Sequence, residues 1–93
     1  MAKIEIYHKT WCGFSRAALK LLREKGVAFI DIDVTDDAIR EEEMVMRSGR
    51  ITVPEIFIDG ELIGGYDDLA GLDAAGELAA KLGPEDDPWR KAA

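Results

Sequence analysis

The sequence predicts an α/β fold in which a four-stranded mixed sheet is flanked by helices. Three observations lead there. "KIEIY" (3–7) alternates polar and apolar residues, and "VAFIDIDV" (27–34) sets Asp31 and Asp33 opposite Ile30, Ile32 and Val34; period two is the signature of a strand. Between them, apolar residues fall at 14, 17, 18, 21 and 22, which is helical spacing. Further on, "TVPEIFI" and "ELIG" are joined by Asp59–Gly60, a hairpin signal. Strand, helix and strand in succession imply a parallel pair with a right-handed crossover. The hairpin adds an antiparallel pair, and a sheet with helices on both faces is the simplest assembly.

Each element has local support. "HKTWCG" separates the first strand from a helix that begins near Phe14 and stops at Gly26, a suitable left-handed cap. "TDDAIREEEMVMRSG" opens with capping residues and acids and closes on Arg47 and Gly49, helix start and stop signals. Its apolar stripe is weak, so this helix should be largely exposed. Residues 67–82 read as helical, with interruptions expected at Gly71 and Gly76. The remainder, "GPEDDPWRKAA", has two prolines and many charges; it reads as a frayed tail, with Trp89 the residue suited to dock it back. One domain over 1–83 and a charged tail over 84–93 follow.

Composition narrows the function. The 93 residues are 47% hydrophobic and 33% charged, and the net charge is −7. That average repels a nucleic-acid backbone, and no basic stripe offsets it. No apolar run approaches the roughly 18–20 residues of a membrane span, and no long apolar leader opens the chain. A cytoplasmic protein without nucleic-acid or membrane partners is expected. A single cysteine, Cys12, cannot form an internal disulfide, which suits a reducing compartment.

Cys12 falls between a strand and a helix start. There the unpaired amides and the positive end of the helix dipole favour thiolate over thiol. Lys9, three residues upstream, could approach the same sulfur. A thiolate is the nucleophile of disulfide exchange. The alternative is an inert cysteine buried as a small apolar group. Lys9 as a solvated charge and Phe14 as core stay open beside their functional readings. So does Pro54 as an ordinary trans strand start, beside a cis proline that would offer the Val53 backbone to an extended peptide. "GGYDDL" sets Asp67 and Asp68 at a helix start, either as a plain N-cap or as a place for a ligand carboxylate and amine.

Together the thiol loop after the first strand, "TVP" before the third and "GGYDD" before the last long helix resemble the glutaredoxin family over about residues 3–82. The resemblance implies a thioredoxin-like fold and glutathione as partner. It makes Cys12 the nucleophile and Lys9 the partner of the glycine carboxylate of glutathione. It makes Thr52, Val53 and Pro54 the cis-proline segment, with the Val53 backbone bonding the cysteinyl part. Asp67 and Asp68 take the γ-glutamyl end, Phe14 stands as the active-site aromatic, and Arg50 is a second basic candidate. The body, with its short "HKTW" approach and "ITVPEIF", is similar to the dithiol class. The tetrapeptide "CGFS" is similar to the monothiol class, with Ser15 where a resolving cysteine would stand and Tyr66 where a further cysteine is common.

The resemblance implies two functions that share one site. The first is a glutathione-dependent thiol-disulfide oxidoreductase, which reduces glutathionylated proteins through Cys12 alone. The alternative is a carrier of a [2Fe–2S] cluster, held in a homodimer by two Cys12 thiolates and two glutathione thiolates; otherwise the protein is a monomer. Four thiolates are the expected count for such a cluster, and Gly13 removes the proline that hinders its assembly in the family.

Overall fold

The structure, a computed structural model, describes residues 2–82; the expected tail and Trp89 lie outside the described residues. The elements run β1 (Ile4–His8), α1 (Gly13–Glu24), β2 (Ile30–Asp33), α2 (Ala38–Ser48), β3 (Glu55–Ile58), β4 (Glu61–Gly64), α3 (Tyr66–Ala74) and α4 (Glu77–Leu82). The strands form one sheet in the order β2-β1-β3-β4. β1 pairs parallel with β2 and antiparallel with β3, and β3 pairs antiparallel with β4. This is the mixed sheet expected. No helix among the described residues is long and apolar enough to cross a membrane.

Alternation along the two central strands divides the interior. Ile4 and Ile6 of β1 and Ile56 and Ile58 of β3 point to one face, where they pack with Ala18, Leu19 and Leu22 of α1, Leu69 of α3 and Leu78 of α4. Tyr7 and Phe57 point to the other face and pack with Val34 and with Met44 of α2. Their rings meet edge to face, with centroids 5.8 Å apart, a favourable aromatic geometry.

The edge strand β2 departs from the expected alternation. Ile30 is 46% exposed, because β2 is an edge strand with a neighbour on one side only. Of the two interruptions expected in 67–82, one is found and one is not. Gly76 adopts a left-handed φ of 78° and separates α3 from α4, whereas Gly71 continues α3. At the hairpin, Asp59 (φ 52°) and Gly60 (φ 82°) make the turn, as paired positive φ values require.

α2 contributes only Met44 as a buried residue, in line with its weak stripe. Polar contacts complete its attachment. Arg47 donates to both carboxylate oxygens of Glu5 (3.1 and 3.0 Å) and to the Tyr7 hydroxyl (2.8 Å). Its guanidinium lies 4.1 Å from the Phe57 ring centroid, a cation–π contact. The Tyr7 hydroxyl donates in turn to Glu43 at 2.5 Å. Glu5, an outward-facing position by simple alternation, is thereby enclosed, and the Arg47 hydrogen bonds hold its carboxyl below the ordinary 4.5 against the opposing effect of burial.

Removing Arg47 leaves that enclosed carboxylate unpaired. Arg47→Met should cost about 2 kcal/mol, less than a fully buried pair because Arg47 keeps some solvent contact. Urea unfolding measures it. The folded-state pKa of Glu5 is depressed, so its stabilisation is present above 4.5 and lost as pH falls through the lower folded value. The variant should lose that part of the acid dependence.

Candidate active site

Cys12 is the N-cap of α1, with extended backbone (φ −87°, ψ 122°). Its amide donates to the Lys9 carbonyl at 3.2 Å, and its own carbonyl accepts from the Arg16 amide at 3.1 Å. As the N-cap residue it carries its sulfur beside the free N–H groups of the first turn. The thiol is partly exposed. It stands 3.7 Å from the Val53 carbonyl oxygen, which places the thiol loop against the segment before β3.

Burial pushes the Cys12 thiol up, but the Ser15 amide and hydroxyl, the Phe14 amide and the positive charge of Arg16 together hold it below the ordinary 9.0. Ser15 is fully buried, and its oxygen accepts from the Lys9 amide at 3.3 Å. That bond leaves the hydroxyl proton free to face the sulfur. Arg16 is the cation that acts on Cys12, and its guanidinium is steadied by the Thr10 carbonyl at 3.0 Å. Sequence reasoning passed over Arg16, although it lies four residues beyond Cys12 and so on the same helical face.

Lys9 points elsewhere. Its ammonium pairs with Glu41 of α2 at 2.8 Å and lies 5.5 Å from the centroid of the Trp11 ring.

Beside the thiol opens a shallow cleft of about 200 Å³. Phe14, Thr52, Val53, Pro54, Asp67 and Asp68 line it, together with Arg50, Glu55, Gly65 and Tyr66. Seven of the nine residues proposed from sequence, Arg50 included, thus converge on one cleft, with Cys12 at its side through Val53. Phe14 is 62% exposed and its ring faces that of Tyr66 at 6.2 Å, so it is a wall of the cleft and not core. The buried stripe of α1 is Ser15, Ala18, Leu19 and Leu22, one position on from the expected one.

The Val53–Pro54 bond is cis. Gly64 is fixed by close approach: it adopts φ 122°, and a Cβ there would overlap the Asp68 carboxylate, whereas one on Gly65 would meet the Pro54 carbonyl at 3.4 Å, an ordinary contact. Asp68 caps α3 by accepting from the Gly65 amide at 3.1 Å, while its exposed carboxylate still borders the cleft. Glu55 was missed in the sequence. It is fully buried and accepts from the Thr52 hydroxyl at 2.6 Å.

If hydrogen bonds to sulfur stabilise the thiolate, iodoacetamide alkylation of Cys12 should rise through a midpoint below 9.0. Ser15→Ala should move that midpoint upward with the far-ultraviolet dichroism unchanged. An unmoved midpoint would count against the assigned role of the hydroxyl.

The comparisons with known proteins agree with this geometry. The glutaredoxin family model matches residues 4–63. The chain is 51% identical over 78 residues to glutaredoxin 3 of Escherichia coli strain K12, a match covering 84% of this chain and 94% of that protein. It is 34% identical over 85 residues to monothiol glutaredoxin-S6 of Oryza sativa subsp. japonica, over 87% of this chain and 64% of that one. Among solved structures, the buckwheat glutaredoxin–glutathione complex superposes with a TM-score of 0.78 at 26% identity, over 87% of this chain and 76% of that chain. With a partly exposed thiol at a helix N-terminus beside a cleft walled by the residue before a cis proline, and with these matches over most of its length, the chain belongs to the glutaredoxin family of thiol oxidoreductases.

Proposed function

We propose that the protein reduces protein–glutathione mixed disulfides by a monothiol mechanism. The observation that carries this is the position of its one thiol, at the N-cap of α1 with a lowered pKa, next to the cleft lined by Phe14, Thr52, Val53, Pro54, Asp67 and Asp68. The buckwheat relative forms a complex with glutathione, and glutathione is the ligand assigned to the cleft here. Its cysteinyl part lies along the Val53 backbone, its γ-glutamyl end at Asp67 and Asp68, and its glycine carboxylate towards Lys9 and Arg50.

The Cys12 thiolate attacks the glutathione-side sulfur of the mixed disulfide. The S–S bond breaks, the protein sulfur leaves as a thiolate and takes a proton from solvent, and Cys12 carries the glutathionyl group. The thiolate of a second glutathione attacks that sulfur, which releases oxidised glutathione and restores Cys12. Ser15 has no thiol with which to displace the bound group, so reduction of intramolecular protein disulfides is not part of the cycle.

A second reading follows from the same tetrapeptide. A [2Fe–2S] cluster takes four thiolates, and the chain has one cysteine. Two copies would each contribute Cys12 and a cleft-bound glutathione thiolate. Ser15 favours this reading, because it cannot draw Cys12 into a competing internal disulfide.

Turnover on a glutathionylated peptide, coupled to glutathione reductase, tests the first reading. Cys12→Ser should fall to background. Asp67→Asn should raise the KM for glutathione about tenfold, the loss of a charge-assisted hydrogen bond, and it spares the α3 cap that Asp68 supplies. Anaerobic reconstitution with iron, sulfide and glutathione, followed by visible absorbance and sedimentation mass, tests the second. A glutathione-dependent coloured dimer is the expected result. Colour without turnover would leave the carrier role alone, and turnover without colour the oxidoreductase.

A further inference from the structure

The two basic residues assigned to the anionic ligand each face a carboxylate of their own chain, and the two pairs differ. Arg50 stands 3.8 Å from Glu55, beyond hydrogen-bond distance. Glu55 is fixed, since its side chain is 1% exposed and its other oxygen is held by the Thr52 hydroxyl. The guanidinium, which borders the cleft, keeps donors free for a ligand. Lys9 is engaged at 2.8 Å by Glu41, and the two side chains are 19% and 35% exposed. Glu41 lies in the first turn of α2, on a partly solvated side chain that can let go.

We propose that Glu41 is a specificity-determining residue: within the chain it occupies the place at Lys9 that a ligand carboxylate would take, and so sets how strongly the site holds an anionic thiol. This rests on the glutathione reading above. Binding at Lys9 then exchanges one carboxylate for another. The ion pair is conserved, so Lys9 adds little net affinity while Glu41 is present. Without Glu41 the ligand carboxylate meets an unpaired ammonium, held over Trp11 and ready to accept it.

The expected result is a gain. Glu41→Gln should lower the KM for glutathione about two- to fivefold, the range of a partly exposed ion pair, with kcat unchanged. Two controls separate a local exchange from a general change in charge. In a Lys9→Gln background the same substitution should have no further effect, by the logic of a double-mutant cycle. With glutathione glycyl monoethyl ester, which lacks the carboxylate in question, the Glu41→Gln protein should match the wild type. A fall in KM that persists in the Lys9→Gln background, or that is equal for the ester, would assign Glu41 a diffuse electrostatic effect and overturn the proposal. So would an unchanged KM in Glu41→Gln when the wild-type protein turns over glutathione. Absence of wild-type turnover would instead overturn the glutathione reading, and the proposal with it.

Discussion

Arg47 fastens the second face of the sheet. β1 and β3 are covered on one face by α1, α3 and α4 through aliphatic packing. The other face has only α2, whose single fully buried side chain is Met44. One such residue is a small anchor for three turns of helix, given the roughly 1.5–3 kcal/mol of a buried apolar side chain. Arg47 adds a bidentate bond to Glu5, a bond to Tyr7 and a contact over Phe57. These reach β1 and β3 at once, so α2 is fixed in angle as well as in position. The hydrogen bonds to Tyr7 and Glu5 also explain how β1 can enclose a carboxylate in the middle of a central strand, since a paired and bonded charge tolerates enclosure where a lone one does not.

That attachment matters to the site because α2 carries Glu41, and β1 runs directly into the loop that carries Lys9 and Cys12. The near end of α2 is tied to the same loop by the Thr35 hydroxyl, which accepts from the Thr10 amide at 2.9 Å. The thiol loop therefore rests on supports from both faces of the sheet: α1 grows out of it on one side, and the approach to α2 braces it on the other. A thiolate needs this rigidity. Hydrogen-bond donors on Ser15 and Phe14 favour it, and such interactions weaken steeply when the donor angle is lost.

Much of this was legible in the sequence, for identifiable reasons. Strand, helix and turn assignments depended on local periodicity and on glycines at left-handed positions, such as Gly26, Gly49 and Gly60. The cleft was legible because its residues come in three short runs, "CGFS", "TVP" and "GGYDD". The losses are of two kinds. Some contacts join residues far apart in the chain, as Arg47 does with Glu5 across 42 positions and Lys9 does with Glu41; no periodicity encodes them. Others turn on a helix phase of one residue. Leu19 was left out of the expected apolar stripe, which set Phe14 on the core side and concealed the burial of Ser15. The cation at the sulfur is a separate case: Lys9, before Cys12, was expected there, and Arg16, one helical turn beyond it, supplies the charge.

The distribution of charge around Cys12 then acquires a consistent logic. Arg16 acts on the sulfur, and its guanidinium is held by a carbonyl and not by a carboxylate, so no ion pair offsets its charge there. Lys9 and Arg50 each have an acid nearby. A chain with net charge −7 repels an anionic tripeptide at long range, and must offset that repulsion locally. Free cations at every position would bind the ligand tightly in all its forms, including the oxidised product. Partial neutralisation at Lys9 and Arg50 limits such uniform binding, which does not by itself accelerate the chemical step, while the unneutralised Arg16 is reserved for the atom at which the bond is exchanged.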